Sequence, residues 1–251
     1  MHLDVQDLHK SYGAQEVLRG IDLKIVRDRT NVVIGGSGAG KTVLLRQLIG
    51  LERPTSGRVL VDGENISAMN DVELNRVRRK FGMVFQGAAL FDSMTVYENV
   101  AFPLREHTKH SEAEIRERVR QRLDDVGLAG AEAKMPSELS GGMRKRVGVA
   151  RALMLEPRIL IYDEPTTGLD PVLSRSVDEI IRDMRDKFHV TSIVISHDMA
   201  TAFGVAHRIH MLYQGRIVAS GSPEEFLEND DPVVREFVHS SGVSHKTLEG
   251  R

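Results

Sequence analysis

The chain has no cysteine among its 251 residues, which excludes disulfides, thiolate metal sites and cysteine nucleophiles and suits a reducing compartment. Charge of one sign is also missing. A formal net charge of −2 leaves no electrostatic footprint for nucleic acid or anionic lipid. No apolar run approaches the ~18 residues needed to span a bilayer, and Met1-His2-Leu3-Asp4-Val5 carries neither the basic nor the apolar region of a secretory leader. Internal repeats and low-complexity stretches are absent as well. The expectation is a cytoplasmic protein that meets any membrane through a partner. What remains, 41% hydrophobic and 28% charged residues, is ordinary for a globular chain. It is long enough for one domain with a sizeable core and an inserted subdomain.

The stretch Gly35-Gly36-Ser37-Gly38-Ala39-Gly40-Lys41-Thr42 follows the β-branched run Asn31-Val32-Val33-Ile34 and precedes the helical pattern Val43 to Ile49. Strand, glycine loop and helix in that order are the context of a phosphate-binding P-loop. Little side-chain bulk lets the loop turn its N–H groups inward, and the helix start adds the positive end of its dipole. Lys41 is then expected to reach the β- and γ-phosphates of a nucleoside triphosphate, and the Thr42 hydroxyl to ligate Mg²⁺. A flexible turn that happens to precede Lys-Thr is the bland alternative; a chance match in a chain of this length is on the order of a per cent.

Around this loop the pattern changes twice. Leu3, Val5, Leu8, Leu18, Ile21, Leu23 and Ile25 alternate with period two, broken by a turn at Ser11-Tyr12-Gly13. Val59-Leu60-Val61 before Asp62-Gly63 extends the same small antiparallel sheet. A short polar helix is expected over Leu74 to Arg79, then a buried strand at Phe81 to Phe85. From Gln86 to about Leu155 the pattern is mostly helical, with Ile115, Val119, Leu123 and Val126 at helical spacing on a highly charged segment that reads as a solvated face. Runs at Ile159 to Tyr162, Thr191 to Ile195 and Ile209 to Leu212 then alternate with helices, which predicts right-handed βαβ units on a parallel sheet. Ser222 and Pro223 open a further helix, and an amphipathic piece at Val233, Val234, Phe237 and Val238 ends in a polar tail.

Three polar groups sit where chemistry is expected. Asp163 and Glu164 end a buried strand, the position at which open α/β sheets bind ligands; Asp163 suits a Mg²⁺ site and Glu164 the polarisation of an attacking water. Capping of the next helix is the alternative for that pair. His197 also ends a strand and reads either as a helix-start residue or as a donor to the γ-phosphate. Ser140-Gly141-Gly142 at a helix start forms a second anion cradle, or simply a capped helix. One triphosphate does not fill two separated cradles, whereas a head-to-tail dimer places each nucleotide between the P-loop of one subunit and Ser140-Gly141-Gly142 of the other.

Taken together, Tyr12, the Gly35–Thr42 loop, Gln86, Leu139-Ser140-Gly141-Gly142, Asp163-Glu164, Leu169-Asp170 and His197, in this order and spacing, resemble the motif set of an ABC transporter ATPase subunit. The resemblance covers residues 1–228, with 229–251 as a short C-terminal extension. It implies an α/β fold: a P-loop NTPase core with a RecA-like parallel sheet, an N-terminal antiparallel β subdomain and an α-helical subdomain inserted at about 87–155. ATP and Mg²⁺ are the implied cofactors. Lys41, Glu164 and His197 are the implied catalytic residues. Tyr12 would stack on adenine, Val43 would join the loop in holding nucleotide, and Thr42, Gln86 and Asp163 would serve the metal. Gln86 would also link the site to the membrane subunit, and Asp170 would help communicate across a homodimer that ATP closes and hydrolysis reopens. Met143 departs from the Gln of most members. The stretches Gln86 to Val96 and Asn99 to Thr108 look like the ATPase of the Mla/Mce-type phospholipid transporters. That likeness implies a peripheral place on the cytoplasmic face of a bacterial inner membrane, a multi-pass permease, an MCE-domain lipid-binding protein and, in some members, a STAS-domain partner. A polar amino acid importer and a non-transport ABC protein are the alternatives; the latter usually have tandem domains or long coiled-coil insertions, which this chain lacks.

Overall fold

The computed structural model describes residues 3–243; the last part of the expected polar tail lies outside the described residues. In chain order it contains β1 (Leu3–Tyr12), β2 (Gln15–Ile25), β3 (Thr30–Ile34), α1 (Lys41–Leu48), β4 (Ser56–Val61), β5 (Glu64–Asn65), α2 (Asp71–Arg78) and β6 (Phe81–Val84). Helices α3 (Val96–His107), α4 (Glu112–Asp125) and α5 (Gly141–Leu153) follow. Next come β7 (Ile159–Asp163), α6 (Pro171–Phe188), β8 (Thr191–Ser196), α7 (Met199–Val205), β9 (Arg208–Tyr213), β10 (Arg216–Gly221), α8 (Pro223–Leu227) and α9 (Pro232–Ser240).

Period-two alternation near the start resolves into a four-stranded sheet of order β2-β1-β4-β5, with antiparallel pairing throughout. The continuous apolar runs form a second sheet of order β10-β9-β3-β8-β7-β6. Its five strands from β9 to β6 are parallel to their neighbours, and β10 pairs antiparallel with β9. The central strands β3, β7 and β8 are buried along almost their whole length because both faces are covered. Val32, Ile34, Leu160, Tyr162 and Val194 face the core built with the helices α3 to α9. Val33, Ile159, Ile161, Ile193 and Ile195 face the core shared with α1 and the antiparallel sheet. Each such side chain contributes roughly 1.5–3 kcal/mol on burial.

Local signals decide where the helices begin, and two expectations shift. α2 starts at Asp71, ahead of the expected Leu74, because Asn70 and Glu73 form a capping box, typically worth about 1 kcal/mol. The segment after Gln86 is an irregular loop up to Thr95, which caps α3 with Glu98. Within that loop Ala88 and Ala89 take φ values of 61° and 47°, which no helix can contain. α5 begins immediately after its cap Ser140. Ser222 and Glu225 box the start of α8, with Pro223 in its first turn. Asp231 caps α9, which buries Val234 and Val238.

Candidate active site

Register brings the polar strand ends together. Ile34 pairs with Ser196 and Asp163 with Ile195, so Gly35, Glu164 and His197 emerge side by side at the carboxyl edge of the parallel sheet. Val84 pairs with Tyr162, which brings Gln86 out at the same edge. This is the ligand-binding edge of an open α/β sheet.

The glycine loop joins β3 to α1 by a backbone that only glycine adopts freely. Gly40 stands before α1 at φ 105°, and a Cβ on Gly35 would lie 2.3 Å from the Leu212 carbonyl oxygen of β9. Gly36, Ser37 and Gly38 are exposed and Ala39 is buried beneath them. Lys41, only 8% exposed, donates to the Gly35 carbonyl at 2.8 Å and the Gly36 carbonyl at 3.2 Å. Its ammonium thus sits under the loop, at the opening of a helix whose first N–H groups have no intrahelical partner. Thr42 beside it is exposed and Val43 half-buried. A loop of bare backbone, a helix start and a buried ammonium fit a polyphosphate.

Glu164 lies between this loop and β8. Its Oε1 is 3.5 Å from Lys41 Nζ, and its Oε2 is 2.7 Å from His197 Nδ1. The Thr167 hydroxyl donates to Oε2 at 3.1 Å and the His197 N–H at 3.3 Å. A carboxylate only accepts, so the short contact puts a proton on His197 Nδ1. The Glu164 backbone has φ 48° and donates its N–H to the Ile195 carbonyl at 2.8 Å. That left-handed conformation costs on the order of 1–3 kcal/mol and turns the carboxylate back toward Lys41. Next to it, burial and then the Glu164 charge hold the Asp163 carboxyl above the usual carboxylate range, against the opposing fields of Lys41, Arg46 and Lys145. A half-buried carboxyl under this strain is stabilised by a cation. Among the described residues no cluster of three or more His, Cys, Asp or Glu could hold a metal. A divalent ion at Asp163 and Thr42 therefore fits as one that takes most of its oxygens from phosphate and water.

The remaining expected residues occupy separate places. Tyr12, an exposed residue, anchors its hydroxyl on Glu52 Oε1 at 2.6 Å and carries the Lys10 ammonium 5.1 Å over its ring, so one ring face at most is open to a stacked base. Gln86 is exposed, and its carbonyl accepts from the Lys145 ammonium of α5. Asp170 caps α6, with Oδ1 accepting from Val172 and Leu173 N–H at 2.9 and 3.0 Å. Ser140 caps α5 through the Met143 N–H at 3.2 Å, and a Cβ on Gly141 or Gly142 would meet Leu169 or Leu173 at 3.6 or 3.4 Å. Among the described residues no hydrogen bond or ion pair joins Ser140, Gly141 or Gly142 to Lys41 or Glu164. Ser140 is thus the cap of α5. His197 stands just before α7, whose cap is Asp198.

Sequence reasoning missed Thr167, Asp198 and Lys145. Thr167 stands three residues after Glu164, a spacing that allows a side-chain contact across one turn. Asp198 follows His197 and gathers the hydroxyls of Thr166 and Thr201 at 3.3 and 3.2 Å, an N-cap signal that the interest in His197 concealed. Lys145 is buried, and burial lowers the pKa of its ammonium against the raising field of Asp163.

The ABC transporter family model matches residues 18–167, a span that holds Lys41, Gln86, Ser140, Asp163 and Glu164. The probable ribonucleotide transport ATP-binding protein mkl of Mycobacterium leprae is 44% identical over 241 residues, covering 96% of this chain and 70% of that protein. The intermembrane phospholipid transport system ATP-binding protein MlaF of Escherichia coli K12 is 40% identical over 236 residues, covering 94% and 88%. Among solved structures, the dimeric post-hydrolysis state of the ATP-binding cassette MJ0796 bound to ADP and Pi superposes with a TM-score of 0.79 at 30% identity, covering 88% of this chain and 98% of that one. Family, relatives and fold neighbour agree: the chain belongs to the ABC transporter family, as an ATP-binding domain that hydrolyses ATP.

Proposed function

We propose that the chain is the ATP-hydrolysing subunit of a bacterial transporter that moves phospholipid between the inner and outer membranes. The observation that carries the motor is Glu164, held between Lys41 and His197. Glu164 takes the proton of the attacking water as general base, worth typically 10²–10⁴-fold, and the Nδ1–H of His197 orients it. Lys41 and the loop N–H groups hold the β- and γ-phosphates. Thr42, Asp163 and Gln86 would hold a Mg²⁺ ion, which would neutralise the phosphate charge. Tyr12 stacks on adenine. The separate Ser140-Gly141-Gly142 cradle supports a homodimer in which each nucleotide is closed over by the facing subunit, with Asp170 at the junction.

The 40% identity to MlaF over nearly the whole chain supports the phospholipid cargo; the partners in this reading are a multi-pass permease and an MCE-domain protein at the inner membrane, with a STAS-domain protein in some such systems. A groove of about 830 Å³ beside the Gln86 loop, lined by Phe81, Met83, Phe85, Phe91, Phe102 and Pro103, supports permease docking close to the nucleotide. We assign residues 1–228 to the ATPase domain, with its helical subdomain at about 87–155, and 229–251 to an extension. The name of the M. leprae relative favours a second reading, ribonucleotide cargo.

The test is to purify the chain with its native partners from solubilised membranes and identify proteins and bound small molecules by mass spectrometry. A permease with an MCE-domain protein and phospholipid is expected. A permease carrying ribonucleotide, or one with a small-solute binding protein, overturns the lipid assignment and leaves the ATPase standing.

A further inference from the structure

The loop after Gln86 is held in a conformation its own residues disfavour. Ala88 and Ala89 adopt φ 61° and 47° in succession, a region that a Cβ makes unfavourable and that non-glycine residues visit singly. One local turn bond, Ala88 N–H to the Phe85 carbonyl at 2.9 Å, closes it, Asn99 of α3 ties its far end at Phe91, and α5 holds the carbonyls between. Lys145 donates its ammonium to the Gln86 carbonyl. Arg151 donates Nη2 to the Ala88 carbonyl and Nη1 to the Ala89 carbonyl, each at 2.8 Å. Between the two cations Gly148 leaves room for Ala88, since a Cβ there would lie 3.2 Å from the Ala88 Cβ. Three carbonyls of one loop are thus taken by two cations of one helix, and Gln86 is presented to the nucleotide edge by that clamp.

An ammonium only 6% exposed, with no ion pair to a carboxylate among the described residues, is a costly way to tie a loop down if the tie has no other use. The same helix begins at Ser140-Gly141-Gly142, and the loop also lines the apolar groove through Phe85, Ala89 and Phe91. Any shift of α5 against β7 is therefore transmitted rigidly to the Gln86 carbonyl, and any occupant of the groove presses on the strained pair. We propose that Lys145 and Arg151 are positioning residues for ATP hydrolysis, which hold the Gln86 loop in a strained form and make its placement depend on α5. This rests on Gln86 acting at the nucleotide site, as assigned above.

The experiment compares the parent chain with Lys145→Met, Lys145→Met/Ala89→Gly and Glu164→Gln, in the complex purified with its partners, by ATP binding and by steady-state hydrolysis. Lys145→Met is expected to keep ATP affinity within about threefold and to lower kcat at least tenfold. Adding Ala89→Gly, which removes the backbone penalty at an exposed position, is expected to recover at least half of the lost logarithm of kcat. A Lys145→Met kcat within twofold of the parent overturns the proposal. So does a parallel loss of affinity and kcat that Ala89→Gly leaves unchanged, because that is the behaviour of a merely structural tie. Where Lys145→Met does not fold, Arg151→Lys keeps the charge but loses the fork that spans two carbonyls, and it carries the same expectations. Equal hydrolysis by the parent and by Glu164→Gln would instead indict the assignment of the catalytic centre.

Discussion

His197 Nδ1 stands 2.7 Å from Glu164 Oε2, across 33 residues of sequence, and the other oxygen of the same carboxylate faces Lys41 at 3.5 Å. The base, the residue that orients it and the phosphate-binding cation therefore form one linked set. It is built from the ends of three neighbouring strands. The consequences of removing a member differ, because each holds a different partner.

Lys41→Ala removes the ammonium that meets the phosphate charge and leaves the loop carbonyls of Gly35 and Gly36 without their donor. Nucleotide binding itself is expected to be lost, with no measurable heat in a calorimetric titration with ATP. Parent-like affinity in that titration contradicts the placement of the β- and γ-phosphates over Lys41.

Ser140→Arg fills the second cradle with a bulky cation while keeping the rest of α5. In a mixed dimer carrying the change in one subunit, hydrolysis at one of two sites is expected to fail, which lowers turnover about twofold or further if the sites act together. Single-turnover counting of ADP formed per dimer checks this. Undiminished hydrolysis argues against nucleotides shared between subunits.

Asp178 of α6 gives a stability prediction away from the chemistry. Burial, more than any neighbour, pushes its carboxyl up to about 7 from the ordinary 3.8, and its Oδ1 has no hydrogen-bond partner. As pH rises, the unfolded chain ionises first, so folded stability falls from about pH 4 and levels off above about pH 7. The upper bound of that loss is on the order of 4 kcal/mol. Asp178→Asn abolishes the titration. The Tm of the variant minus that of the parent is expected to climb between pH 4 and 7 and then flatten; a difference independent of pH contradicts the burial of a protonated carboxyl.

Much of the site could be read from the chain because its chemistry is local. The P-loop is legible in eight consecutive residues, and Asp163-Glu164 stands out from other acidic pairs by the apolar strand before it. Asp124-Asp125 shows the contrast: it ends helix α4, and Asp125 is tied to Arg122 and Lys187 at 3.1 and 2.6 Å. The Gln86 loop misled because, apart from Gly87, its residues suit a helix; what unwinds it is cations 59 to 63 residues away. Lys145 and Arg151 sit in a basic run, Arg144 to Arg151, whose charges suggest solvent, yet their acceptors are backbone carbonyls that carry no sequence signal. His197 divided two readings for the same reason, since its partner arrives only when β7 and β8 pair.

The most direct measurement of the central claim is the single-turnover rate of ATP cleavage by the parent and by Glu164→Gln at saturating ATP, with affinity determined alongside. The substitution keeps the size of the side chain and removes its capacity to take a proton. Unchanged affinity with a rate lower by roughly 10²–10⁴ is the expected result. A rate within a few-fold of the parent contradicts a general base at Glu164 and with it the mechanism built on the Lys41–Glu164–His197 set.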